Sequence, residues 1–468
     1  MTDPIRLTAR EAVSLLKRGA VSPAELVDAA AARIAAVDGA VNALPTLCLD
    51  RARDHAKRLA TRRPEARGPL AGLPFVVKDL DAVAGVRTTW GSPIYADHVP
   101  ERSNVMVEIL EARGGIVIAK SNTPEFGAGA NTFNEVFGKT LNPWDRRLTC
   151  GGSSGGSAVA LATGEAWLAT GSDLGGSLRT PASFCSVVGL RPSPGRVAEG
   201  PNPLPFGLLP VHGPMGRTVG DAALMLDAMR GQHREDPRSL EAPAEPFIAA
   251  VDAPTPPRRI GFTPDLGIVP VDREVAAICE QAAARFADMG ATVEAACPDF
   301  GGARETFQTL RAAGFAAGMA PLLAEHRDKF KPEIIWNIEK GLALTADEIG
   351  AAERARGALY HRLVAFFADH DLLACPAAIV PPFDVEQRYV AEVAGETFDN
   401  YVDWLAITSA ITLTSCPAIS LPCGFTAGGL PVGLQLVAPP RSEAALLAAA
   451  ALLEDALGIA GRLPIDPR

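Results

Sequence analysis

Apolar residues recur at helical spacing from Leu26 to Ile34. Just ahead of them, Ser22-Pro23-Ala24-Glu25 has the form of a capping box with proline at the first helical position. The pattern predicts a helix there. Arg63 to Gly68 is a polar, proline-containing break, so residues 1–65 are expected to form a helical segment packed on a larger domain over 66–468. Beyond the break the period changes. Leu73-Pro74-Phe75-Val76-Val77-Lys78-Asp79 is a short apolar run ending in charge, and it predicts a strand. Ser103 to Arg113 predicts a helix, Gly114-Gly115 stops it, and Ile116 to Ala119 predicts another strand. Further strands are expected over 259–262, 372–375, 418–421 and 432–437, with Ala-rich helices between them, for example over 272–289 and 442–457. Strands alternating with helices predict an α/β fold, with a central mixed, largely parallel sheet covered by helices on both faces.

Composition narrows the picture. Apolar residues make up 48% of 468, enough for one large core, and aromatics only 6%, which suits close helix-on-sheet packing. A net charge of -10 argues against a nucleic-acid partner, because such binding is driven by Lys and Arg. The polar start, Met1 to Arg6, lacks the layout of a secretory leader, and the Ala-rich run from Ala444 to Leu453 is too short to span a bilayer. Cytoplasm is the expected compartment, with no membrane contact. The eight cysteines form no C-x-x-C and none neighbours a histidine at ligand spacing, so free buried thiols and no metal are expected. Cys150 lies beside a Gly/Ser loop, but no histidine stands near it to act as its base.

The chemistry is concentrated in two glycine-dense segments. Cys150-Gly151-Gly152-Ser153-Ser154-Gly155-Gly156-Ser157 is followed by Gly171-Ser172-Asp173-Leu174-Gly175-Gly176-Ser177-Leu178-Arg179-Thr180-Pro181, with an Ala/Leu-rich stretch between them. Such backbone can turn N–H groups inward onto a ligand. A flexible linker does not alternate with apolar core segments, and no Gly-Lys-Ser/Thr ends either loop to make a nucleotide P-loop. An oxyanion hole beside a serine nucleophile fits better. Gly151 to Gly155 matches G-x-S-x-G, the nucleophile elbow of α/β-hydrolases, but that elbow follows a buried strand and residues 142–149 read as turn-like and charged. Ser177 follows an apolar stretch, Ala166 to Thr170, and has the amides of Leu174, Gly175, Gly176 and Ser177 around it. Of the seven histidines only His212 sits in a tightly shaped loop, and a structural role suits it better than a catalytic one. Lys78, at the end of an apolar strand, has two readings on residue physics. Desolvation would lower its pKa and make it a base, or the side chain would snorkel to solvent.

These segments resemble the amidase signature, and Val76-Val77-Lys78-Asp79 resembles the catalytic-lysine motif of that family. The spacings fit: 75 residues from Lys78 to Ser153 and 24 from Ser153 to Ser177. The likeness runs nearly the whole chain, through Asn122 to Gly127, Asn142-Pro143-Trp144, Gly213-Pro214-Met215, Cys416 to Ile419 and Gly429 to Gln435. The resemblance implies an amidohydrolase with no cofactor. Ser177 would form the acyl-enzyme, and Ser153, after a cis peptide, would pass protons to the neutral base Lys78. The amides of Leu174, Gly175, Gly176 and Ser177 would hold the oxyanion. Ser154 would support the network, and Asp173 and Arg179 would hold the loop as an ion pair. Leu174 departs from a frequent threonine, which touches only a backbone donor. A homodimer is common in the family.

The substrate is left open by fold and triad. Gly127, Ala128, Gly129 and Ala130 leave room for an acyl group, and the stretch from Phe307 to Trp336 with Phe398, Tyr401 and Trp404 is expected to line an aryl or alkyl slot or else to be ordinary core. Three other functions compete with a stand-alone amidase for small-molecule amides. They are the glutaminase half (the A subunit) of a tRNA-dependent amidotransferase, a serine esterase using Ser153 and a histidine, and a nonenzymatic binding protein on a decayed scaffold.

Overall fold

A computed structural model describes residues 3–468; Met1 and Thr2, at the head of the polar start, lie outside the described residues. Among the described residues, eleven strands form one sheet. In chain order they are β1 (Thr46–Leu47), β2 (Pro74–Lys78), β3 (Ile116–Ser121), β4 (Leu168–Asp173), β5 (Val188–Arg191), β6 (Val211–Gly216), β7 (Arg259–Phe262), β8 (Thr292–Ala295), β9 (Leu372–Pro376), β10 (Ala418–Phe425) and β11 (Pro431–Val437). Their order across the sheet is β1-β3-β2-β4-β6-β5-β10-β11-β9-β7-β8.

The expectation of a largely parallel sheet is corrected. Only β2–β3, β2–β4, β7–β8 and β7–β9 pair in parallel. The centre is antiparallel. For one of these pairs the cause is local: β10 and β11 are joined by a tight turn closed by the Thr426 and Leu430 backbones, and such a short link permits only antiparallel pairing. The strand expected at residues 73–79 runs over Pro74–Lys78, and its five residues are all buried. A strand buried on both faces reads as an unbroken apolar run, as this one does.

The N-terminal helices Ala9–Lys17 and Pro23–Val41 share one apolar core with the sheet, in which Ala12, Leu16, Leu26 and Ile34 pack with Phe75, Val76 and Val117. The capping box at Ser22 is present, with Glu25 answering the Ser22 backbone. No helix among the described residues is long and apolar enough to cross a membrane.

Two features place the site. First, β2 and β4 are parallel neighbours, so their C-terminal ends, Lys78 and Asp173, emerge on the same edge; ligands of α/β sheets gather at such ends. Second, the helix Gly155–Thr163 is buried at all nine residues and brings its N-terminus to that edge. Its fit depends on Gly156, where a Cβ would lie 2.4 Å from the Asn122 nitrogen and 2.6 Å from the Ala43 carbonyl. Both obstacles are backbone and cannot swing aside. Gly156→Ala is therefore expected to lower stability by about 1–3 kcal/mol in urea unfolding, with a matching loss of activity; a loss under about 0.5 kcal/mol would show that the helix can shift freely.

Candidate active site

Lys78 is fully buried, and its Nζ lies 2.7 Å from Ser153 Oγ, 2.9 Å from Ser154 Oγ and 3.0 Å from Ser172 Oγ. It does not snorkel. Its backbone N–H donates to Thr170 Oγ1 at 3.0 Å. Thr170 and Ser172 are two apart on β4, so both side chains lie on the same face of the sheet, and both hydroxyls meet Lys78. Burial lowers the Lys78 pKa to about 7, against the opposing pull of Asp81 and Asp173. An amine poised there can take a proton from a neighbouring hydroxyl at neutral pH.

Ser153 and Ser154 sit on the turn leading into the buried helix, and the Gly152–Ser153 peptide is cis. The preceding residues, expected as turn, include a short strand, Asp145–Thr149, but it pairs with Leu141–Asn142 and bridges to Asp384, outside the main sheet. The buried-strand context of an α/β-hydrolase elbow is absent there. Gly171 lets the two segments touch: a Cβ there would lie 2.9 Å from Ser154 Oγ and 2.5 Å from Leu178.

Asp173 shapes the loop that carries Ser177. Its carboxylate accepts the Gly176 N–H at 2.9 Å and the Leu178 N–H at 3.2 Å. Arg179 meets it bidentately, Nε to Oδ2 at 2.9 Å and Nη2 to Oδ1 at 2.8 Å, and Arg191 Nη1 adds a contact at 3.2 Å. All three side chains are fully buried. Burial alone would raise the Asp173 pKa, yet the two guanidinium groups and the Gly176 amide hold it well below the usual carboxylate range. One consequence concerns the expected oxyanion hole: the Gly176 N–H is committed to Asp173, while the amides of Leu174, Gly175 and Ser177 donate to no protein group among the described residues.

Ser153, Ser177 and Ser172 line one cavity of about 160 Å³ with Leu80, Phe126 and Phe307. The structure thus closes Lys78 onto Ser153 and brings Ser177 to the same cavity without a Ser153–Ser177 hydrogen bond. Of the four small residues proposed for an acyl pocket, Gly127, Gly129 and Ala130 line this cavity and Ala128 does not; it packs with Phe330 and Ile334, and its carbonyl accepts from Lys331. Of the aromatics expected in the slot, Phe307 and Phe315 line it. Phe398, Tyr401 and Trp404 belong to the core behind it, and Trp336 is on the surface.

The other candidates have different roles. His212 lies between Asp81 at 2.7 Å and Glu199 at 2.9 Å. Burial opposes its charge, but the two carboxylates raise its pKa to about 10, so it is a structural cation and no proton acceptor near neutrality. The Cys150 thiol is raised to about 12 by burial and is no nucleophile. Lys120 pairs with Asp79 at 2.9 Å in full burial.

Residues 25–447 match the sequence profile of the family described as Amidase. The chain belongs to the amidase family. Over 468 aligned residues it is 35% identical to an acylamidase of Rhodococcus erythropolis, covering 98% of this chain and 97% of that one. It is also 36% identical to the A subunit of the glutamyl-tRNA(Gln) amidotransferase of Moorella thermoacetica, covering 98% of each. The solved structure of a bacterial aryl acylamidase of the amidase signature family superposes with a TM-score of 0.90 at 28% identity, over 98% of this chain and 99% of that one. The protein is accordingly an amidase, a hydrolase of amide bonds.

Sequence reasoning within the amidase family missed Ser172, Arg191 and the partners of Arg179 beyond the motif, the Gln435 side chain at 2.5 Å and the Thr408 carbonyl at 2.9 Å. Ser172 could have been found by extending the strand through Asp173, where the period-two hydroxyls of Thr170 and Ser172 become visible. Asp173→Asn removes the charge that two buried guanidinium groups require, and it is expected to cost about 3–5 kcal/mol in thermal unfolding. A loss below about 1 kcal/mol would mean that the arginines are satisfied by carbonyls alone.

Proposed function

We propose that the protein is a stand-alone amidohydrolase that cleaves small carboxamides through an acyl-enzyme on Ser177. Ser177 Oγ attacks the carbonyl carbon. Its proton passes to Ser153 as the Ser153 proton passes to neutral Lys78. The oxyanion is received by the N–H groups of Leu174, Gly175 and Ser177, the three that Asp173 leaves free. Lys78, now charged, returns the proton through Ser153 to the leaving nitrogen and the C–N bond breaks. Water then attacks the acyl-enzyme by the same relay and releases the carboxylate. Ser154 and Ser172 hold the Lys78 amine in line. The observation that carries this reading is a buried lysine whose amine has only hydroxyls as hydrogen-bond partners among the described residues, with burial lowering its pKa to about 7.

Similarity alone does not separate the two kinds of relative, since the acylamidase and the amidotransferase component match about equally. The cavity favours an amide with an apolar body: Leu80, Phe126, Leu174, Phe307, Phe315 and Leu405 line it. Glutamine would need a carboxylate to meet its ammonium, and the described residues lining this cavity include no Asp or Glu.

Amine release from a panel of aryl and alkyl amides tests this, with glutamine included. Wild type is expected to turn over at least one apolar amide, and Ser177→Ala and Lys78→Ala each to lose about 10³-fold or more in kcat. Full activity of Ser177→Ala, or hydrolysis of glutamine alone, would contradict the reading. The pH profile is a separate check. Lys78 must be neutral to accept the proton, so kcat/KM should rise with pH through about 7 and fall about tenfold per unit below it. A rate independent of pH from 5 to 9 would rule out Lys78 as the base.

A further inference from the structure

Among the described residues, Arg311 is the one charged side chain lining the catalytic cavity. It projects from the helix Ala303–His326 and is only 7% exposed. A guanidinium has five N–H donors. Here one nitrogen, Nη2, donates to Tyr401 Oη at 2.7 Å, and Tyr401 in turn donates to Asn337 Oδ1 at 3.1 Å. The guanidinium also lies over the ring of Phe315 at 4.1 Å and that of Tyr401 at 5.4 Å. No carboxylate pairs with it among the described residues. This contrasts with the other buried arginines of the site: Arg179 and Arg191 share Asp173.

The remaining donors are not sealed in. They do not figure among the buried nitrogens that lack a partner, and the surface that reaches them is the cavity wall. Arg311 also lines an adjoining vestibule of about 700 Å³, which shares Phe126, Leu174, Pro210 and Phe315 with the inner cavity. The cation therefore stands at the junction of the two, oriented by Tyr401 and Phe315, with its remaining N–H donors unpaired. A buried cation without a counter-charge is costly, and a ligand carboxylate arriving there would relieve that cost and meet the fork geometry of the guanidinium.

We propose that Arg311 is a specificity-determining residue that binds a carboxylate on the substrate, so that the preferred amides are half-amides of dicarboxylic acids with an apolar spacer. This rests on the hydrolytic reading above. A carboxylate with no ammonium is what this lining selects, because Arg311 has no acidic counterpart in the inner cavity. An amino-acid amide would bring a positive charge that no described residue lining the inner cavity receives; the acidic residue of the vestibule, Glu353, shares that lining with Arg356.

The test compares succinyl-p-nitroanilide with pentanoyl-p-nitroanilide, which is close in shape and neutral, on wild type, Arg311→Met and Arg311→Lys. Wild type is expected to prefer the succinyl compound by at least about tenfold in kcat/KM, a difference carried by KM. Arg311→Met should reverse the preference while kcat on the pentanoyl compound stays within about threefold, and Arg311→Lys should restore part of it. Equal loss on both compounds, or an unchanged preference in Arg311→Met, overturns the proposal. Calorimetric titration with succinate needs no turnover and separates the two readings. Binding weakened at least about tenfold in a folded Arg311→Met supports the carboxylate site even if neither anilide is cleaved, in which case it is the hydrolytic reading that fails. Succinate binding that is absent in wild type, or equal in both proteins, overturns the role of Arg311.

Discussion

Among the described residues the buried Lys78 amine has only hydroxyl groups as hydrogen-bond partners, and the rest of the site is arranged so that this can hold. A carboxylate touching Nζ would stabilise the ammonium and hold its pKa high. Three acidic side chains stand close by, and each is given a cation of its own. Asp79 takes Lys120, Asp81 takes the His212 imidazolium, and Asp173 takes Arg179 and Arg191. Asp81 and Asp173 still act on Lys78 through space, but burial outweighs them and leaves the amine near pH 7.

The same pairings also hold the loop in shape. Asp173 ends β4, and through the Gly176 and Leu178 amides it folds the loop so that the Leu174, Gly175 and Ser177 amides stay free. Arg179 carries that constraint on to the Thr408 carbonyl and to Gln435 of β11, so the loop is tied to the opposite half of the sheet. Tertiary ties of this kind explain how a glycine-dense segment, flexible by composition, can hold one shape.

Much of this was legible in the sequence. The unbroken apolar run before Lys78 marked a buried strand, and the two glycine-dense segments marked the site. Asp173 and Arg179 were expected to pair, and they do. Three features escaped, each for a physical reason. The antiparallel centre of the sheet depends on which strands become neighbours, which periodicity does not encode. Gly176 was counted as an oxyanion donor because spacing shows that an amide exists and not where it points. Arg311 and Tyr401 lie 90 residues apart, and only the fold reveals that Tyr401 holds Arg311 at the cavity wall while Phe398 and Trp404 stay in the core. The roles of Lys78, Ser153 and Ser177 came from family resemblance joined to residue physics, and the hydroxyl cage around Lys78 adds a physical reason for the first of them.

The most direct test of the central claim is to look for the acyl group itself. Enzyme turning over an activated acyl substrate would be acid-quenched within one turnover, digested, and its peptides mapped by mass spectrometry. The account predicts one acyl group on the Ser177 hydroxyl, absent in Ser177→Ala and formed far more slowly in Lys78→Ala. An acyl group on Ser153, or steady turnover with no acylated peptide at any time, would contradict it.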